Sequence, residues 1–156
     1  MILPYNEYQK GMTREICHAV RDRNISAIAE MAKWYVSTNL IDENAVLIPL
    51  PQHEGKADYT LEICKLIQRE TDCKICDILK RIPSPSLYEQ KKKGMKAKTL
   101  LYLDTKLKKP EGKNIFLIDN ISASGLTMND GLTLIPNATA LPYSYSWHEV
   151  ERHYNA

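Results

Sequence analysis

The sequence predicts an α/β fold with a mostly parallel central sheet flanked by helices. Short aliphatic segments, such as AVLIPLP and NIFLI, are separated by segments in which apolar residues recur at helical spacing. A strand without polar alternation is typical of a sheet that is buried on both faces. Strands that alternate with helices imply right-handed crossovers and therefore parallel pairing.

The chain has the size of one globular domain, with 156 residues of which 44% are hydrophobic. No window approaches the roughly 20 apolar residues that a membrane span requires. The N-terminus lacks a basic flank followed by an apolar run and a small-residue cleavage site. We therefore expect a single-domain, soluble, cytoplasmic protein with no membrane partner.

Three helices and two strands are predicted in the first half of the chain. A short helix is expected near Thr13 to Val20, and a second from Ile25 to about Thr38, with Asn24 placed to cap it. The strand AVLIPLP follows. A third helix is expected from Tyr59 to near Glu70, and CKICDIL is then predicted to form one strand.

The second half begins with a segment of unusual composition, KRIPSPSLYEQKKKGMKAK. Its two prolines, two serines, glycine and lysine cluster predict a long loop without a regular element, and loops of this length often serve as lids. TLLYL and NIFLI are predicted strands joined by the turn KLKKPEGK. A helix of about two turns is expected from Leu126, followed by the strand ATALPYSYS.

Neither the cysteines nor the histidines predict a metal site. CKIC supplies only two thiols, no second pair completes a tetrahedral zinc set, and the four histidines are scattered. Charge is more informative, because residues 91–113 hold nine lysines and a net charge of +7, against −5 for the remainder. Such a run is typical of a solvated loop, and it also suits a polyanion such as phosphates or nucleic acid.

The segment IFLIDNISASGLT combines a buried strand with an acid, an amide and a small-residue turn. In parallel sheets, ligands bind where such turns lead into helices. Backbone N–H groups at a helix N-terminus attract an anion, Gly125 permits close approach, and Ser124 and Thr127 add hydroxyl donors. Asp119 and Asn120 are expected to accept hydrogen bonds from sugar hydroxyls. The pattern thus predicts a phosphorylated ribose as ligand.

Ile115–Ile118, Asp119, Asn120 and the turn through Thr127 together resemble the signature of type I phosphoribosyltransferases. The stretches CHAVRDRNISAIAEMAKWY, VLIPLP and LKRIPSPSLYEQKKKG are similar to the ComF-like branch of that family. Three departures stand out: Asn120 replaces an acid, EGKADYT replaces an Arg-Gly-Phe-Asn segment, and the cysteine-rich zinc module of full-length ComF proteins is absent.

The resemblance implies a core sheet, residues 41–146, with a small hood that we place at residues 1–40 and a tail at 147–156. It implies binding of 5-phosphoribosyl-1-pyrophosphate as a magnesium complex and transfer of ribose 5-phosphate to a base. The 5′-phosphate would be held by Ala123, Ser124, Gly125, Leu126 and Thr127, and the ribose by Asp119 and Asn120. Pyrophosphate would contact Gln52, His53, Glu54, Gly55 and Lys56, with Lys91 and Lys92 on the lid as further catalytic candidates.

Two other functions stay open at this point. The first is a non-catalytic binder of a sugar phosphate or nucleotide, or a DNA-uptake accessory protein that binds single-stranded nucleic acid through the lysines. The second is a vestigial site, since a fold does not fix a function. The aromatic cluster near the last strand, Tyr143, Tyr145 and Trp147, suits packing or a homodimer contact, and it could also stack on a base. For an active enzyme, Asn120→Asp is expected to raise the rate of pyrophosphate release.

Overall fold

A computed structural model describes residues 11–85, 87–94, 100–122 and 126–145. Five helices and six strands lie within these ranges: α1 (Gly11–Arg21), α2 (Ile25–Ser37), β1 (Val46–Pro49), α3 (Tyr59–Thr71), β2 (Lys74–Ile75), β3 (Leu79–Arg81), α4 (Leu87–Lys92), β4 (Leu101–Leu103), β5 (Ile115–Ser122), α5 (Leu126–Leu134) and β6 (Thr139–Tyr145).

The main sheet has the strand order β2-β1-β5-β6, and each neighbouring pair is parallel. Strands β3 and β4 form a separate antiparallel pair. The predicted α/β class with a mostly parallel, helix-flanked sheet is therefore confirmed. Among the described helices, none is long and apolar enough to cross a membrane.

Two apolar clusters cover the two faces of the main sheet. Because side chains alternate along a strand, Phe116 and Ile118 face the cluster formed with α1, α2 and α3, whereas Ile115 and Leu117 face the cluster formed with α5 and the small sheet. Helices α1 and α2 therefore pack onto the sheet itself; the assignment of residues 1–40 to a hood stays a prediction.

The start of α2 follows its sequence signal closely. The side chain of Asn24 accepts a hydrogen bond from the backbone N–H of Ala27 at 3.0 Å, as an N-cap residue does. This confirms the predicted cap and fixes where the helix begins.

The prediction of one strand over CKICDIL is wrong. Its first residues form β2, which pairs with β1. The backbone N–H of Cys76 still donates to the carbonyl of Leu47 at 2.9 Å. Leu79 then pairs with Leu103 in the small sheet. A continuous apolar run does not reveal a change of sheet, because both sheets bury it equally well.

The loop predicted over residues 80–98 is also wrong in part, because it contains the end of β3 and all of α4. Both prolines, Pro83 and Pro85, precede the helix, where a missing N–H and a ring do not break helical hydrogen bonds. The carbonyl of Pro85 accepts from the side chain of Gln90 at 2.8 Å, which ties α4 to the segment before it. The mobility expected of a lid stays a prediction.

Candidate functional site

The carboxyl ends of β1 and β5 lie side by side. Pro49 is in register with Ile118, and the N–H of Leu50 donates to the carbonyl of Ile118 at 3.0 Å. Because the strands are parallel, the segment after β1 and the segment after β5 leave the sheet at one edge. Two of the segments predicted to bind the ligand, 52–56 and 119–127, thus emerge at the same edge.

Asp119 is the charged residue that β5 contributes to this edge. Its side chain is half-buried, and its Oδ1 accepts a hydrogen bond from the N–H of Asn120 at 2.8 Å. Its carbonyl lies 2.8 Å from the Tyr35 hydroxyl, which also lies 2.6 Å from the carbonyl of Leu141. Asp119 pairs with Pro142 of β6, and the Tyr35 hydroxyl of α2 contacts a carbonyl of each of the two strands at this point.

Asn120 lies in the interior rather than at the edge. It is 1% exposed, its Nδ2 donates to the carbonyl of Cys17 at 3.2 Å, and its Oδ1 accepts from the Tyr59 hydroxyl at 3.4 Å. The carbonyl of Asn120 accepts from Ser144 Oγ at 2.8 Å. The structure therefore brings Asp119 to the site and turns the Asn120 side chain into the layer formed by α1 and α3.

The length of β5 explains this difference. The apolar pattern predicts a strand that ends at Ile118 and a loop over the next two residues, but β5 continues to Ser122. Neighbouring side chains in a strand point to opposite faces. Asp119 and Asn120 consequently cannot both face one ribose while the strand is intact.

The groups behind Asp119 are neutral hydrogen-bonding groups. Burial raises the pKa of Cys17 to about 11, although its hydrogen bond to Ser144 acts in the opposite direction. Burial also raises the pKa of Tyr35 and Tyr59, and the negative charge of Asp119 raises both further. These side chains stay protonated at neutral pH and can only position the strand.

The segment after β1 forms a tight loop held by Gln52. Its N–H donates to the carbonyl of Lys56 at 3.1 Å, its Oε1 accepts from the N–H of Asp58 at 2.6 Å, and its Nε2 donates to the carbonyl of Leu50 at 3.0 Å. Gln52 therefore shapes the loop. Gly55 has a φ of 121°, a conformation that L side chains rarely adopt.

The remaining predicted pyrophosphate contacts point to solvent. His53, Glu54 and Lys56 are exposed, and His53 Nε2 lies 3.5 Å from Glu54 Oε1. They place two basic side chains and one carboxylate at the same edge as Asp119.

Part of the predicted phosphate turn, Ala123 to Gly125, lies outside the described residues, as does the side chain of Lys91. Leu126 and Thr127 form the first turn of α5 and are half-buried, and Lys92 is exposed in α4. Within the described ranges, no three His, Cys, Asp or Glu side chains group together as metal ligands would.

Sequence reasoning missed Tyr35, Tyr59 and Arg81. The two tyrosines lie at helical core spacing, and nothing in that spacing shows that their hydroxyls reach β5. Arg81 lies in the segment interpreted as a solvated loop, yet it is only 5% exposed.

No protein-family model matches this chain, and no curated protein is significantly similar to it. The fold defines an α/β protein with a polar edge at the carboxyl ends of two neighbouring parallel strands. A more specific function rests on the chemistry of that edge.

Proposed function

We propose that this protein is a phosphoribosyltransferase that binds 5-phosphoribosyl-1-pyrophosphate at the edge formed by β1 and β5. One observation supports this above the others: the half-buried carboxylate of Asp119, the loop 52–56 and the N-terminus of α5 come from adjacent parallel strands and leave the sheet together. A sugar with a phosphate at each end requires recognition groups of these kinds in one place. The proposal includes a cytoplasmic location for the protein.

In this proposal each group has a separate role. Asp119 accepts hydrogen bonds from the ribose hydroxyls, and the backbone N–H groups that start α5 hold the 5′-phosphate. The leaving pyrophosphate gathers negative charge as the bond to the ribose breaks, and exposed lysines stabilise that charge. Lys56 on the loop and Lys92 on α4 are the described candidates.

Magnesium enters as part of the substrate complex. Oxygen ligands suit this ion, and it usually keeps several waters and binds through one or two carboxylates together with substrate phosphates. Asp119 and Glu54 are the carboxylates at this edge, so the residues fit a metal that the pyrophosphate carries. They do not form a resident metal cage.

The orientation of Asn120 favours a second candidate, a non-catalytic protein that binds the same sugar phosphate. Asn120 carries no charge and its amide is turned inward, so β5 presents a single carboxylate, that of Asp119, at the edge. A single carboxylate still binds hydroxyls, but it offers less negative charge to a cationic transition state.

Release of pyrophosphate from 5-phosphoribosyl-1-pyrophosphate, measured with magnesium and a panel of purine and pyrimidine bases, distinguishes the two candidates. Base-dependent release that falls in Lys56→Met supports the transferase. The matched control is Lys65→Met, because Lys65 is an exposed lysine of α3 that lies 3.4 Å from Glu62. Binding without release supports the non-catalytic protein, and absence of binding removes both.

A further inference from the structure

Arg81 is a buried cation with no acidic partner among the described residues. It ends β3 and is 5% exposed, and its Nη2 donates to Ser84 Oγ at 3.0 Å and to the carbonyl of Pro85 at 3.1 Å. Its Nε is buried and has no hydrogen-bond partner. Within the described ranges no carboxylate lies within ion-pair distance of the guanidinium. A buried charge in such a setting costs several kcal/mol.

Arg81 lies against the candidate pyrophosphate loop. Its N–H donates to the carbonyl of Gly55 at 2.9 Å, and the N–H of Ser84 donates to the carbonyl of His53 at 3.1 Å. The exposed carboxylate of Glu54 acts on the guanidinium from a longer range: burial lowers the pKa of Arg81, and Glu54 partly opposes this. The unpaired cation thus lies where the loop 52–56 meets the segment leading to α4.

Local structure does not require the charge of Arg81. The carbonyl of Pro85 also accepts from Gln90 Nε2 at 2.8 Å, so it keeps a donor if Arg81 is removed. The hydroxyl of Ser84 is free to rotate to another partner. Both present acceptors of Arg81 are neutral, and a guanidinium binds an anionic oxygen roughly twice as strongly as a neutral one.

We propose that Arg81 is an anion-binding residue whose ligand is a pyrophosphate group. On entry at the loop 52–56, the anion takes the place of Ser84 Oγ and the Pro85 carbonyl, and the planar guanidinium meets two of its oxygens. The segment before α4 is released from Arg81 and stays joined to α4 through Gln90. That this pyrophosphate belongs to a phosphoribosyl substrate rests on the proposed function; the anion site itself does not.

The test is calorimetric titration of the whole chain with inorganic pyrophosphate. Arg81→Met is expected to weaken affinity by roughly tenfold to a hundredfold, as for the loss of a charge-assisted hydrogen bond. Its melting temperature without pyrophosphate should equal or exceed that of the wild type, because the buried charge is gone. The matched control is Lys80→Met, which removes the same charge one residue away. Lys80 is paired with Asp77 at 3.2 Å, and its side chain points to the opposite face of β3. The affinity of Lys80→Met for pyrophosphate should stay within about twofold of that of the wild type.

Arg81→Gln gives a second readout, since it keeps a donor for Ser84 and Pro85 but carries no charge. Unchanged affinity in either folded variant, no binding of pyrophosphate by the wild type, or loss of the fold in both variants would overturn the proposal. Arg81-dependent binding without transfer to any base upholds the anion site and removes the transferase. Transfer of ribose 5-phosphate that survives in Arg81→Met upholds the transferase and removes the anion site.

Discussion

Asn120→Asp is the most informative single substitution in this protein. It exchanges the NH₂ group that donates to the carbonyl of Cys17 at 3.2 Å for an oxygen, in a side chain that is 1% exposed. At neutral pH the new carboxylate faces a carbonyl oxygen at that distance, and the described hydrogen bonds of this side chain include none to a cation. The Tyr59 hydroxyl, 3.4 Å from Oδ1, is its one remaining side-chain donor among the described hydrogen bonds.

The expected cost follows from the burial of an uncompensated charge. Such a group destabilises a fold by about 3–5 kcal/mol, a large share of the total stability of a small domain. Burial raises the pKa of the new carboxyl above its unfolded value of about 3.9. The loss of stability therefore grows by about 1.4 kcal/mol per pH unit from about pH 4 up to the folded pKa, and is constant above it.

Urea unfolding at pH 7.5, 6 and 4.5 measures this dependence. Near pH 4 the protonated acid regains a donor for Cys17, so most of the destabilisation should disappear. Asn137→Asp is the matched control, because Asn137 Nδ2 also donates to a carbonyl, that of Gly112 at 2.8 Å, but at an exposed position. It should cost no more than about 0.5 kcal/mol.

Two results would refute this reasoning. One is an Asn120→Asp protein as stable as the wild type at pH 7.5, and the other is a destabilisation that does not shrink as the pH falls. The sequence alone led to a different expectation for this variant, a faster release of pyrophosphate. That expectation stays a prediction, and the buried position of the amide adds to it a loss of fold stability.

Three further predictions follow from the groups around the site. Gly55→Ala should lower the free energy of unfolding by at least about 1 kcal/mol, because φ is 121° and a Cβ would lie 3.0 Å from the carbonyl of Arg81; urea unfolding equal to wild type would contradict it. Tyr35→Phe should cost about 1–3 kcal/mol, since the carbonyl of Asp119 loses a hydroxyl donor at 2.8 Å, and a cost below about 0.5 kcal/mol would show that the hydroxyl is dispensable. The thiol of Cys17, fully buried with a pKa raised to about 11, should react with iodoacetamide at pH 8 only after unfolding, so peptide mapping that finds it alkylated in the native protein would refute this.

Features that depend on neighbouring residues along the chain were predictable from the sequence. The aliphatic runs of β1 and β5 and the helical periodicity of α2 and α3 identify the elements and their order, and Asn24 marks where α2 begins. Parallel pairing then follows from the alternation of strands and helices.

Features that depend on contacts between distant residues were not predictable. The break between β2 and β3 depends on the antiparallel pairing of Leu79 with Leu103 in the small sheet. The continuation of β5 to Ser122 comes with its pairing to β6, where Ile121 and Ser122 are in register with Ser144 and Tyr145. For that reason the sequence places Asp119 and Asn120 together in a loop after the strand, whereas both lie in β5 and the Asn120 side chain is buried.

Arg81 illustrates a different limit. Its neighbours in sequence, prolines, serines and lysines, are typical of a solvated segment, so its burial had no local signal. Its backbone contact with Gly55 and its side-chain contact with Pro85 arise only when the segment folds back onto the loop after β1.

Calorimetric titration of 5-phosphoribosyl-1-pyrophosphate with magnesium, on the wild type and on Asp119→Asn, tests the central claim most directly. The asparagine keeps an oxygen for the N–H of Asn120, so the strand should be preserved while the negative charge at the edge is lost. We expect saturable one-site binding to the wild type, weakened roughly tenfold or more in Asp119→Asn. No binding to the wild type, or equal affinity in the two proteins, would contradict it.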